Sequence, residues 1–155
     1  MDADFSHPPR KLLELRQACL DGADVGIGSR YISGVNVVNW PMGRVLMSYY
    51  ASAYVRMITG LKIKDTTAGF VCYRRKVLET IDLDSIKFKG YAFQIEMKFT
   101  AYCMGFNIKE VSIIFVNRVL GTSKMSGGIF SEALLGVVKL KWSSWFNKKK
   151  FQRRK

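Results

Sequence analysis

Two carboxylates stand one residue apart near the start of the chain, Asp2 and Asp4 in Met1-Asp2-Ala3-Asp4-Phe5-Ser6-His7-Pro8-Pro9. On an extended or turning backbone both can point at one hard cation. Mg²⁺ or Mn²⁺ beside a nucleotide is usually held in this way, with water and substrate phosphates filling the remaining positions. The spacing alone also fits an acidic end ahead of a helix that begins at a proline, and so short a motif favours that plainer reading. Four basic residues have the chemistry to meet an anion. Arg30 follows a strand in Gly28-Ser29-Arg30-Tyr31, and Arg44 lies in the first turn of a helix with Ser48 one turn later on the same side. Arg118 and Lys124 lie in the loop Asn117-Arg118-Val119-Leu120-Gly121-Thr122-Ser123-Lys124. Guanidinium forks suit phosphate, and a helix N-terminus adds N–H donors. Singly, each is more often a solvated surface residue, so their claim depends on convergence in space. Asp65, in Lys64-Asp65-Thr66-Thr67-Ala68-Gly69-Phe70, is either a turn aspartate or an active-site carboxylate at a strand edge. His7 reads as a packing residue. Gln94 and Glu96 read as solvated positions at a helix start, where the positive end of the dipole favours a glutamate.

These residues need a scaffold, and 155 residues support one domain with a real core. A hydrophobic content of 48% excludes a disordered chain. The net charge of +13, from 25 Lys and Arg against 12 Asp and Glu, points to an anionic partner: nucleic acid, an anionic membrane face or phosphorylated substrates. Cys19, Cys72 and Cys103 are far apart without metal-ligand spacing, and read as thiols in a reducing compartment. Periodicity predicts a helix over Arg10 to Leu20, with Leu12, Leu13, Leu15 and Leu20 along one side. A strand follows over Asp24 to Ser29, whose glycines permit close backbone approach. Residues 30–41 read as a functional loop without a helical period. A strong helix runs from Met42 to Thr59, with Val45, Met47, Tyr49, Ala53, Val55, Met57 and Ile58 as its apolar face and Gly60 at its end. Then come a strand at Phe70 to Tyr73, a short helix at Arg74 to Ile81, a helix at Tyr91 to Gly105 and a strand at Ile108 to Val116. Helices and strands alternate, which makes the class α/β.

The organisation expected is a catalytic part over residues 1–128, an amphipathic helix over 129–146 and a basic tail over 147–155. Trp142, Trp145 and Phe146 run into Lys148-Lys149-Lys150 and Arg153-Arg154-Lys155. Aromatics beside a lysine cluster fit an interfacial membrane anchor; a solvated tail is the alternative.

Six segments in order carry a resemblance: Met-Asp-Ala-Asp-Phe-Ser-His-Pro-Pro, Gly-Ser-Arg-Tyr, Trp-Pro-x-Gly-Arg-x-x-x-Ser, Asp-Thr-Thr-Ala-Gly-Phe, Gly-Tyr-Ala-Phe-Gln-Ile-Glu-Met and Val-Asn-Arg-Val-Leu-Gly-Thr-Ser-Lys-Met. From Met1 to about Lys141 the chain resembles the dolichol-phosphate (polyprenol-phosphate) mannosyltransferases, inverting enzymes of glycosyltransferase family 2. The resemblance implies the C-terminal part of a glycosyltransferase A-type (Rossmann-like) fold, with the N-terminal nucleotide-binding half absent. It implies mannosyl transfer from GDP-mannose to a polyprenyl (dolichyl) phosphate with inversion. Asp2 and Asp4 match the Asp-x-Asp motif that holds Mg²⁺ or Mn²⁺ against the donor diphosphate. Arg30 matches an arginine that binds phosphate near the acceptor, and Arg44 and Ser48 match the acceptor-side pair. Arg118 and Lys124 match a basic loop that closes over the phosphates, and Asp65 matches an active-site aspartate proposed as a base. Ser6 departs from the pattern, since some members carry glutamine there.

The expected setting is the cytoplasmic face of a membrane, bound peripherally to its anionic surface, with a missing N-terminal half or a membrane-anchoring partner. Without that half, the sheet is expected to have an open edge and the chain to bind GDP-mannose poorly. The other readings are transfer of a different sugar to a polyprenyl phosphate and a non-catalytic membrane-surface module. Nucleic acid is not expected as a partner, because only the net charge speaks for it and no recognition motif accompanies it.

Overall fold

A computed structural model describes residues 6–117, 127–146 and 148–151 of the chain. Its centre is the strand β1 (Val25–Ser29), in which every residue is buried. Such a strand must be covered on both faces and paired on both edges. β3 (Val71–Tyr73) pairs with it antiparallel and β4 (Ile108–Ser112) parallel, giving the order β3-β1-β4. The fold is α/β with a mixed sheet, consistent with part of a glycosyltransferase A-type fold.

The glycines of β1 allow its neighbours in. A Cβ on Gly26 would sit 3.0 Å from the Leu15 carbonyl oxygen, so helix α1 (Lys11–Leu20) rests directly on the strand. A Cβ on Gly28 would lie 2.7 Å from a ring carbon of Phe70 and 3.2 Å from Ile113. The face that α1 buries is Leu15, Ala18 and Cys19. Leu12, Leu13 and Leu20 point outward, contrary to the stripe expected from the leucine pattern. The four leucines are not a strict helical stripe, and the small Ala18 and Cys19 permit the closer approach.

Helix α2 spans Met42–Thr59, as expected, and Gly60 follows in the left-handed region with φ 78°. Its buried residues are Ser52, Val55 and Thr59, whereas Met42, Leu46, Met47, Tyr49, Tyr50 and Met57 are exposed. The expected apolar face is therefore corrected: only part of it meets the core. Helix α5 (Gly127–Phe146) packs beside α2, with Tyr54 Oη donating to the Leu134 carbonyl at 3.2 Å. Lys141 Nζ donates to the Thr59 carbonyl at 3.1 Å and so satisfies one orphan acceptor at the end of α2. After the short helix α3 (Arg75–Thr80), helix α4 (Gly90–Cys103) supplies Ile95, Met97, Phe99 and Ala101 to the core.

Two expectations about strands are revised. The segment from Ile108 to Val116 is not one strand. It breaks after Ser112, where Ile113 donates its N–H to Ser29 and buries its side chain with Leu15 and Phe70. Phe115–Val116 (β5) then leave to pair in parallel with β2 (Val37–Val38), inside the stretch expected to have no regular structure. This second pairing carries the chain from the main sheet to the rim of the site. The C-terminal turn Lys148–Phe151 is also not freely solvated where it is described. Phe151 is buried against Phe99, with ring centroids 5.7 Å apart.

Gly28→Ala is expected to destabilise the chain by about 1 to 3 kcal/mol, because neither Phe70 nor Ile113 has room to withdraw. A urea midpoint unchanged from wild type would contradict this packing.

Candidate active site

β1 ends at Ser29, and the next residue, Arg30, turns onto the segment that precedes β3. Arg30 Nε and Nη2 donate to the two oxygens of Asp65 at 2.7 Å each, and the Arg30 backbone N–H adds a third bond at 3.0 Å. Nη2 also reaches Thr67 Oγ1 at 2.9 Å. Asp65 has no exposed surface. Burial pushes its pKa up, but the hydrogen bonds and charge of Arg30 outweigh that and hold it below the ordinary carboxylate value. Burial likewise pushes Arg30 down, and Asp65 more than restores it. Both groups are therefore ionised. With both carboxylate oxygens engaged by Arg30, Asp65 acts here as an anchor for the guanidinium. Removing one partner would leave a buried unpaired charge, which typically costs about 3 to 5 kcal/mol.

The turn that carries Asp65 is fixed from two sides. Glu110 of β4 accepts the backbone N–H groups of Lys64 and Asp65 at 2.7 and 2.9 Å. Lys98 of α4, completely buried, donates from Nζ to the Thr66 carbonyl at 2.9 Å and to the Ala68 carbonyl. The amides thus face a carboxylate and the carbonyls face an amine. Burial lowers the Lys98 pKa from 10.5 to about 7, with Asp65 opposing the shift and Arg30 adding to it.

In front of this turn opens a cavity of about 910 Å³. Arg30, Trp40, Arg44 and Ser48 line it, together with residues 87–91. The Arg44 guanidinium lies over the Trp40 ring, 4.0 Å from its centroid, and that of Arg30 lies 5.5 Å from the same ring. Such stacking holds planar cations without using all their donors. Arg44 Nη1 donates to Asn117 Oδ1 at 3.0 Å, and Tyr31 Oη donates to Ser48 Oγ at 2.8 Å. Burial raises the Tyr31 pKa, with Arg30 partly opposing, so the phenol stays a proton donor.

Of the residues singled out from sequence, Arg30, Arg44 and Ser48 converge on this cavity, and Asp65 stands immediately behind Arg30. Asp2, Asp4, Arg118 and Lys124 lie outside the described residues. The positions next to them are informative: Val116 donates its N–H to the Ser6 carbonyl at 3.2 Å, and Asn117 holds Arg44. His7 packs between Phe70 and Phe115, with ring centroids 5.0 Å from each, and also lines the cavity. Glu96 is not solvated. It is buried, its Oε2 accepts the N–H groups of Lys87 and Phe88 at 2.9 Å, and its Oε1 meets Lys150 Nζ at 2.6 Å. The helix start folds under residues 87–88, so the carboxylate serves their amides instead of water.

Sequence reasoning missed Trp40, Tyr31, Glu110 and Lys98. The signal for Lys98 was present: a lone lysine within the apolar run Ile95-Glu96-Met97-Lys98-Phe99. Trp40 stands four residues before Arg44, yet it belongs to the loop ahead of the helix, where helical spacing says nothing.

Comparison with known proteins adds the ancestry. No family model matches the chain. It is 49% identical over 137 residues to polyprenol monophosphomannose synthase of Mycolicibacterium smegmatis, covering 88% of this chain and 52% of that protein. It is 48% identical over 139 residues to undecaprenyl-phosphate mannosyltransferase of Micrococcus luteus, covering 90% of this chain and 57% of that protein. The chain is a relative of the polyprenyl-phosphate mannosyltransferases. A dolichol-phosphate mannosyltransferase of Pyrococcus furiosus is 37% identical over 145 residues, covering 92% of this chain and 40% of that protein. The chain therefore spans about half the length of the curated relatives it matches.

Lys98 gives the stability of this mannosyltransferase relative a definite pH dependence. Its pKa is about 7 when folded and near 10.5 when unfolded, so between these values the unfolded chain binds a proton that the folded chain does not. Its contribution therefore rises with pH above about 7. Urea unfolding of wild type and Lys98→Met, compared between roughly pH 7 and 9, is expected to show a rising difference in favour of wild type. A pH-independent difference would contradict the shifted amine.

Proposed function

We propose that the chain takes part in transferring a mannosyl residue from GDP-mannose to a polyprenyl phosphate. The observation that carries this reading is the convergence of Arg30, Arg44 and Ser48 on one cavity, in a chain whose relatives are named polyprenyl-phosphate mannosyltransferases. Two stacked guanidinium groups and a hydroxyl suit a phosphate monoester, and the apolar remainder of the cavity suits the first units of a prenyl chain.

The chemistry follows from the groups. The nucleophile is an oxygen of the acceptor phosphate, which is already anionic at neutral pH, so proton abstraction is not required. This agrees with an Asp65 whose two oxygens are occupied by Arg30. The phosphate oxygen attacks the anomeric carbon in line as the bond to the diphosphate breaks. Configuration inverts, and GDP departs with the electron pair. Arg44 and Ser48 orient the acceptor, and Arg30, held by Asp65, lowers the cost of bringing a second anion to the diphosphate. Arg118 and Lys124 are proposed to close over the phosphates.

A divalent ion, Mg²⁺ or Mn²⁺, is assigned to Asp2 and Asp4, where it would neutralise the leaving diphosphate. Asp2 and Asp4 lie outside the described residues, and among the described residues no group of three His, Cys, Asp or Glu side chains could hold a metal. The exposed apolar residues of α2 and α5, among them Met42, Tyr50, Met57, Trp142, Trp145 and Phe146, are proposed to rest on the membrane that carries the lipid acceptor. Among the described residues no helix is long and apolar enough to cross a bilayer. Because the matched relatives are about twice as long, the chain by itself is proposed to be impaired in donor binding.

The test is transfer of radiolabelled mannose from GDP-mannose to a polyprenyl phosphate, with and without divalent metal, alongside binding of the acceptor lipid to the same chain. Arg44→Ala is expected to lower transfer at least about tenfold, a transition-state loss of roughly 1.4 kcal/mol. Near-wild-type transfer by that variant would sink the assignment, and vesicle binding with no dependence on metal or nucleotide would favour a membrane module without catalysis.

A further inference from the structure

The pairing of Arg30 with Asp65 creates an electrostatic problem for an anion site. A guanidinium bonded to a carboxylate through two nitrogens is neutral as a unit at long range, so beyond contact distance it attracts a phosphate only weakly. The cavity needs another source of positive potential on that side. The only other buried cation bonded to the Asp65 turn, among the described residues, is Lys98. It has no exposed surface, and its hydrogen-bond acceptors are the carbonyls of Thr66 and Ala68. Thr67, Ala68 and Gly69 themselves line the cavity, so the amine lies one residue behind the wall.

The charged groups whose fields reach Lys98 are Asp65, Arg30 and Glu110. Asp65 pairs with Arg30, whereas Glu110 keeps its charge while accepting the N–H groups of Lys64 and Asp65, and Lys98 is the cation that offsets it. A backbone turn could have had its two carbonyls satisfied by a hydroxyl or a buried water at far less desolvation cost. An amine there is costly as a structural device, and its charge acts through a low-dielectric path toward the cavity.

We infer that Lys98 is a positioning residue for the phosphate-binding side of the cavity: it fixes the turn that holds Asp65 and Arg30, and its charge offsets Glu110 so that the turn does not present a net negative charge to an anion. This rests on the reading of the cavity as an acceptor-phosphate site and adds to it a residue that does not touch the ligand. Two consequences separate this role from simple support of the fold. Loss of the amine weakens binding of an anionic ligand more than that of its neutral analogue. The neutral analogue, which reports the shape of the cavity, keeps its affinity.

The experiment is a titration of the full chain with farnesyl phosphate and with farnesol, for wild type, Lys98→Met and Lys98→Thr, near pH 6.5. Methionine keeps the length of the side chain without the charge. Threonine supplies a hydroxyl, so that a folded comparison remains if one variant fails to fold. Farnesyl phosphate is expected to bind the variants about tenfold more weakly, on the scale of one unit charge felt through protein interior, with farnesol changed less than about twofold. Equal losses for both ligands would reduce Lys98 to a structural residue and overturn the inference, as would unchanged farnesyl phosphate affinity. If wild type prefers farnesyl phosphate no more than farnesol, the acceptor-site reading itself fails and the inference falls with it.

Discussion

The buried bond between Arg30 and Asp65 is the constraint on which the rest of this structure depends. A carboxylate with no exposed surface survives only if its charge is met, and here it is met at three hydrogen bonds by the residue that follows the central strand. That requirement fixes where β1 ends and how far the turn before β3 approaches it. The turn in turn needs partners for its own backbone, and these come from α4 and β4 as an amine and a carboxylate. Four separate stretches of sequence are thereby locked around one ion pair. The cavity in front is thus backed by a turn whose backbone and side chains are already bonded to their neighbours, a preorganised support.

The aromatic residues complete this arrangement in a different way. Trp40 lies against both guanidinium groups, and Tyr31 holds Ser48. Two positive groups facing the same space repel each other. Stacking on one indole and bonding outward, to Asp65 for Arg30 and to Asn117 for Arg44, keeps them near each other.

Much of the scaffold was legible in the sequence because it is set by local chemistry. Helix α2 could be bounded at Met42 and Thr59, since Pro41 and Gly60 punctuate it in ways the backbone cannot ignore. Arg44 and Ser48 could be placed on one side of it from their spacing alone. The buried side of α2 was not legible: a helix apolar nearly all round gives no direction, and the core took Ser52, Val55 and Thr59. The break after Ser112 was hidden because β-branched residues continue through Ile113 and Ile114, and only pairing with Ser29 and with β2 decides where the strand divides. Within the site, Arg30 and Asp65 were each recognisable as candidates. Their mutual bond spans 35 residues and belongs to the fold, so no local pattern announces it. Glu96 was misread for the same reason, since its partners at Lys87 and Lys150 come from opposite directions along the chain.

Glu96 and Gly136 together give one wall of the cavity an unusual connection. Glu96 holds the amides of residues 87 and 88, and Lys150 bridges that carboxylate to the Ser85 carbonyl at 2.6 Å. Phe88 lies so close to α5 that a Cβ on Gly136 would stand 2.8 Å from its ring. The wall is thus bolted to the helix that presents Trp142 and Trp145 to the outside. The seating of α5 against Phe88 is therefore one of the contacts that set where this part of the cavity lining stands.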